Sequence, residues 1–309
     1  MRARLLALLA TASLFLLGAI PAQAGGGNGG NGEHGNGGEG QSYLSLGDSV
    51  PFGFQPFPKL FSDAENFVGY PEIVAERLDL KDVNATCPGE ATGGFISLNG
   101  TDNSCRPYRH IAPLHVRYKT SQLDFALKYL RSHKHSTSLV TLTLGANDVF
   151  HLQNVCTALT PHDPVAIGQC VTAGIPDVLT TMSVNLNTIL SSLRSTGYTG
   201  LIVAVTYYAL NYNDTSGSVL LNTPMVGAAT ANGDLIADGL GAWAHAASLA
   251  GGDSCAAGLL IPTPLDPTSP CDVHPTPKGR DLLANAVIQT IAASCPAHNA
   301  QECLKGEGD

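Results

Sequence analysis

A serine in Gly47-Asp48-Ser49 and a histidine in Asp272-Val273-His274 are the residues from which chemistry is most readily built. A serine hydroxyl is a weak nucleophile until a base takes its proton. Imidazole titrates near neutral pH, so His274 suits the base and, later, the acid. A carboxylate beside the ring fixes its tautomer and stabilises the imidazolium. Asp272 lies two residues before His274, which in an extended segment puts both side chains on one face. Two further stretches offer donors for the oxyanion that forms when a carbonyl is attacked. These are the side-chain amide of Asn147, in Gly145-Ala146-Asn147-Asp148, and a backbone N–H at Gly89, in Cys87-Pro88-Gly89-Glu90. Each stretch alone has a bland reading. A lone GDS is ordinarily a turn or helix cap, Asn-Asp ends many strands, and an Asp and His beside prolines describe many surface loops.

What lifts them above that reading is their position. Short β-rich runs occur at Tyr43–Leu46, Val83–Thr86, Ser138–Leu144, Leu201–Tyr208 and Gly258–Ile261. Helical spacing appears over Pro71–Leu80, Ser121–Ser132, Ile175–Ser195, Asn232–Ala250 and Lys278–Ala293. Strand-then-helix repetition predicts a parallel sheet covered by helices on both faces. Thr276 and Pro277 mark the start of the last helix as cap and first residue. In an open parallel sheet, ligands bind beyond the carboxyl ends of the strands. All four polar stretches follow predicted strands there. Pro88–Tyr118 and Phe150–Gly174 have no clear assignment, and long loops of that kind are expected to wall a binding cleft.

The four stretches, in this order, resemble the four sequence blocks of the SGNH/GDSL hydrolases. Gly47-Asp48-Ser49-Val50 is similar to the first block, with Val50 for the usual Leu. Gly89 resembles the second, Gly145-Ala146-Asn147-Asp148 the third and Asp272-Val273-His274-Pro275 the last. The resemblance implies a three-layer α/β/α, flavodoxin-like sandwich with a central parallel sheet. It also implies cofactor-free ester hydrolysis through an acyl-enzyme. Ser49 is then nucleophile and first oxyanion donor, Gly89 and Asn147 are the other donors, and His274 and Asp272 are the base and its orienter. A monomer acting on a small-molecule, lipid or polysaccharide ester is the expected working form. A carbohydrate deacetylase, or a non-catalytic binding module of the same fold, are the alternatives. A second Gly-Asp-Ser at Gly252–Ser254 follows a helical segment and is read as a turn. The G-x-S-x-G elbow of another esterase fold is absent.

The rest of the 309-residue chain sets the context. Arg2 and Arg4 precede an apolar run from Leu5 to Ile20 and then Ala22-Gln23-Ala24, the pattern of a secretory signal peptide over residues 1–24. Residues 25–41, rich in Gly, Asn and Glu, have little to bury and read as a flexible linker. The domain is expected over 42–295 and a tail over 296–309, with no later segment long and apolar enough to span a membrane. Removing Arg2 and Arg4 with the signal takes the net charge from −9 to −11. Such an acidic balance argues against nucleic acid as the partner. Eight cysteines form sequence-local pairs: Cys87 with Cys105, Cys156 with Cys170, Cys255 with Cys271, and Cys295 with Cys303. An even count in an exported chain favours disulfides. Spacing alone leaves connectivity open, and nearest-neighbour pairing is the expectation. No C-x-x-C cluster suggests zinc, and His133 and His135 lack an evident third ligand, so no metal is expected.

Overall fold

The computed structural model describes residues 41–263, 270–295 and 298–305. The expected signal peptide and all of the expected linker except Gln41 lie outside the described residues.

Five strands, β1 (Ser42–Gly47), β2 (Lys81–Asn84), β3 (Thr137–Thr143), β4 (Leu201–Val205) and β5 (Leu235–Ala237), form one sheet in the order β2-β1-β3-β4-β5. Every pairing is parallel. β1 and β3 are buried along their whole length, as strands covered on both faces must be. Alternate residues feed two cores. Tyr43, Leu139, Val203 and Val205 meet α2 (Tyr70–Leu78), α9 (Gly239–Ser248) and α10 (Pro277–Ser294). Leu44, Leu46, Val140, Leu142 and Ile202 meet α5 (Gln122–His133), α7 (Pro164–Ser195) and α8 (Ser216–Asn232). The result is the three-layer α/β/α sandwich expected from the sequence. The strand order reverses at β1, which opens a crevice beyond the carboxyl ends of β1 and β3.

Several expected elements differ. The helix expected over Asn232–Ala250 is broken: α8 ends at Asn232, Gly233 turns the chain at φ +69°, and β5 precedes α9. The Asp238 side chain caps α9 by accepting from Gly241 N–H at 2.9 Å. Most of α8 escaped the sequence reading because Pro224 and two glycines blur its pattern. The predicted strand at Gly258–Ile261 contributes to no parallel sheet. It becomes β6 (Leu260–Pro262), antiparallel to β7 (Cys271–Pro275) in a separate ribbon. The two unassigned stretches hold α3 (Thr92–Ile96) and α4 (Cys105–Ile111), and then α6 (Ala146–Leu159) with the start of α7. Part of the expected tail folds as α11 (Ala300–Lys305), whose Ala300 and Leu304 are buried in the core shared by α2 and α10. By length and composition, the 32-residue α7 is apolar enough to cross a membrane, against the expectation of no such segment. In this fold Met182, Leu186, Ile189, Leu190 and Leu193 of its C-terminal half are buried against the sheet.

Disulfides join Cys87 to Cys105, Cys156 to Cys170, Cys255 to Cys271 and Cys295 to Cys303. The second Gly-Asp-Ser is a turn. Its Ser254 is fully buried with its hydroxyl donating to Ala209 O at 2.7 Å.

Candidate active site

Gly47 ends β1 at φ +130°, and a Cβ there would lie 2.0 Å from Thr143 O on the neighbouring strand. Only glycine allows the chain to turn so close to β3. Gln122, fully buried at the start of α5, grips this turn from the other side. It accepts from Gly47 N–H at 2.6 Å and donates to Gly47 O at 3.0 Å. Asp48 follows, with its N–H on Thr143 O at 3.1 Å and its carboxylate accepting from Val50 N–H at 3.0 Å. Ser49 is thereby held at the first position of the four-residue helix α1 (Ser49–Phe52).

His274 reaches Ser49 from the β6–β7 ribbon. Its Nε2 lies 2.8 Å from Ser49 Oγ, and its Nδ1 hydrogen-bonds Asp272 Oδ1. Asp272 Oδ1 also accepts from the His274 backbone N–H at 2.9 Å. Tyr208 OH donates to Val273 O at 2.5 Å, which fixes the residue between them. Phe54 closes one side of the imidazole with ring centroids 4.8 Å apart. Cys255–Cys271 ties the ribbon down one residue before Asp272. Burial disfavours the charged form of Asp272, but the charge and hydrogen bonds of His274 outweigh it and hold the carboxyl below its usual range.

Asn147 enters from the turn after β3. Its side-chain oxygen accepts from Asn103 Nδ2 at 3.0 Å, which leaves the NH2 as its free donor group. Asn103 also donates its backbone N–H to Gly89 O at 3.0 Å and is itself held by Asn154 Nδ2 at 3.0 Å. One residue from an irregular segment therefore connects both expected donors. Tyr207, from the end of β4, makes a second bridge. Its hydroxyl donates to Asp48 Oδ2 and accepts from Ala146 N–H at 3.2 Å, linking the Ser49 turn to the Asn147 turn. Asp148 binds Thr92 through its N–H at 2.9 Å and hydroxyl at 2.6 Å, fastening the loop after β2.

Ser49, Asn147 and His274 line one cavity of about 790 Å³, with Asp272 directly behind His274. Gly89 does not line it. It lies in the loop after β2 at φ +81°. Nothing in the sequence singled out Asn103 or Gln122, because their roles are contacts with distant backbone and amide groups. Tyr207 is buried as a core residue would be, yet its hydroxyl serves the site. Among the described residues, Cys87, Glu90 and Cys105 cluster closely enough to suggest metal ligands, but both sulfurs are spent in a disulfide.

No family model and no curated protein matches the chain. Solved structures do. Phospholipase A1 from Streptomyces albidoflavus NA297 is similar at 18% identity and a TM-score of 0.51, over 81% of this chain and 99% of that one. The extracellular lipase from Streptomyces rimosus is similar at 15% identity and a TM-score of 0.50, again over 81% and 99%. At such identities the likeness concerns architecture, and the architecture of this chain is the SGNH-hydrolase fold.

Proposed function

We propose that the protein is an exported carboxylic ester hydrolase with Ser49 as its nucleophile. The observation that carries this is the 2.8 Å contact between Ser49 Oγ and His274 Nε2, across 225 residues of sequence, with Asp272 on the far side of the ring. Nucleophile, base and orienter in hydrogen-bonded series is the arrangement that activates a serine. Ser49 Oγ attacks the ester carbonyl carbon as its proton passes to His274 Nε2. The negative charge gathering on the carbonyl oxygen is met by the Asn147 NH2 and by backbone N–H groups of Ser49 and Gly89, the last on resemblance alone. The carbon–oxygen bond to the alcohol breaks as His274 protonates the leaving oxygen. Water then gives a proton to His274 and attacks the acyl-enzyme; collapse returns that proton to Ser49 Oγ and frees the acid. Four disulfides fit folding in an oxidising compartment, in keeping with export.

The test uses protein collected from culture medium, with its N-terminus expected near Gly25. Ser49→Ala should cut turnover of p-nitrophenyl esters by at least about a thousandfold while leaving the melting temperature near that of wild type. Unchanged ester turnover in a folded Ser49→Ala protein overturns the proposal.

A further inference from the structure

The cavity is far larger than the chemistry of Ser49 needs, and the polar side chains that line it beyond the site, such as Gln153, Asn154, Gln169 and Thr172, are neutral. Among the described residues, the only ionisable ones lining it apart from Asp48 and His274 are two tyrosines. Asp48 is committed to Tyr207 and Val50, and His274 to Ser49 and Asp272. Among the described residues, no lysine, arginine or free carboxylate lines it to hold a phosphate or an acidic sugar. What remains is mainly aliphatic, and most of it comes from the α6–α7 hairpin, which the Cys156–Cys170 disulfide staples near its turn.

The two halves of α7 show what this wall is for. The C-terminal half spends its apolar face on the sheet, with Met182, Leu186 and Leu193 almost wholly buried. The N-terminal half carries a comparable stripe, Gly168, Val171, Ile175 and Leu179, at helical spacing; Val171 is almost wholly buried, while Ile175 and Leu179 pack on the sheet-side core and still line the cavity. Lining positions on this helix run from Pro164 to Leu179. Fifteen residues of helix rise ~22 Å, many times the reach of an acetyl group. Leu221 of α8 lines the cavity as well. Val165 and Leu220, which also line it, are exposed, and apolar surface of that kind is unfavourable in water and becomes favourable once hydrocarbon covers it.

We infer that this cavity is an acyl-chain chamber, that the substrates are esters of long-chain fatty acids, and that the stapled α6–α7 hairpin sets the accepted chain length. The inference rests on Ser49 as nucleophile, because the chain must extend from the carbonyl held there.

The experiment measures kcat/KM for p-nitrophenyl acetate, butyrate, octanoate and dodecanoate as dispersed monomers, in wild type, Ser49→Ala, Ile175→Trp and Leu221→Trp. In wild type kcat/KM is expected to rise at least about tenfold from acetate to octanoate or beyond, since each buried methylene adds binding. Each tryptophan variant should lower the dodecanoate-to-acetate ratio by about tenfold or more. Either variant suffices if the other fails to fold, and the wild-type profile decides the matter without them. A profile highest at acetate, with Ser49→Ala inactive, overturns the chamber and leaves the nucleophile standing. Equal losses on acetate and dodecanoate in folded tryptophan variants overturn the role of the hairpin. Ester turnover that survives Ser49→Ala removes the reading on which the inference rests.

Discussion

Two carboxylates flank Ser49, and their surroundings push them in opposite directions. Asp48 belongs to the sheet. It is 1% exposed, and burial raises it to about 6 despite the Tyr207 hydroxyl and the Val50 N–H that favour its charge. Asp272 belongs to the ribbon. It is half-buried, and the adjoining His274 overcomes the cost of burial and lowers it. Asp148, beside Asn147, follows Asp48: burial raises it, with Thr92 opposing. The sheet side of the site thus holds acids at a cost to stability, used to fix backbone turns. The ribbon side holds one acid cheaply, because its partner is the imidazole it orients. Asp48 precedes Ser49 in the chain and Asp272 lies across the imidazole from it; what separates the two acids is whether a cationic partner stands beside them.

The contrast is broken most severely at Asp272. Asp272→Asn should lower kcat about 10⁴-fold, as expected when the imidazole loses the partner that sets its tautomer. Its pH dependence of stability should also change. A carboxyl lowered in the fold stabilises above its unfolded value near 3.8 and loses that contribution as pH falls through the folded value. The acid side of the wild-type stability curve should therefore be steeper than the variant's. A variant with near-normal kcat would place the orienter elsewhere.

A smaller effect belongs to Asn103, which touches no substrate in the proposed mechanism. It positions the Asn147 amide, so Asn103→Ala should reduce kcat by about tenfold, less than the hundredfold or more that loss of an oxyanion donor itself costs. KM and the pH profile should stay close to wild type. Equal falls in kcat and melting temperature, with KM rising, would reduce Asn103 to a fold residue.

The smallest effect on rate, and the sharpest on stability, is expected from Asp48→Asn. A carboxyl raised in the fold binds its proton more tightly there than in the unfolded chain. Wild-type stability therefore falls as pH climbs from about 3.8 to about 6 and then levels. The variant should gain on wild type across that window, by about 3 kcal/mol at most above it. Melting temperatures from pH 3.5 to 8 check this. A constant difference would mean that Asp48 keeps its ordinary affinity for the proton.

Much of this arrangement was legible beforehand, and the reason is local. Strands buried on both faces must be apolar throughout, so β1, β3 and β4 announced themselves. Gly47 and Gly145 both take φ near +130° at the ends of strands, and such turns restrict sequence enough to read. Asp272 and His274 are two residues apart, so their pairing is a property of one extended segment. The cysteines lie in near neighbours along the chain. By contrast α8 and β5 lacked a periodic pattern of their own, since proline, glycine and short length mask it, and the run that became β6 carried no sign that it would pair antiparallel with β7. Which residue types stand at which strand ends can thus be read along the chain. The packing of the folded chain sets how far apart they are, because Ser49 meets His274 across 225 residues of sequence. It alone brought Asn103, Gln122 and Tyr207 to the site, whose value lies in backbone groups they reach from elsewhere. It also divides the apolar stripe of α7 between sheet and cavity, since burial against a sheet and exposure to a cavity ask for the same residues.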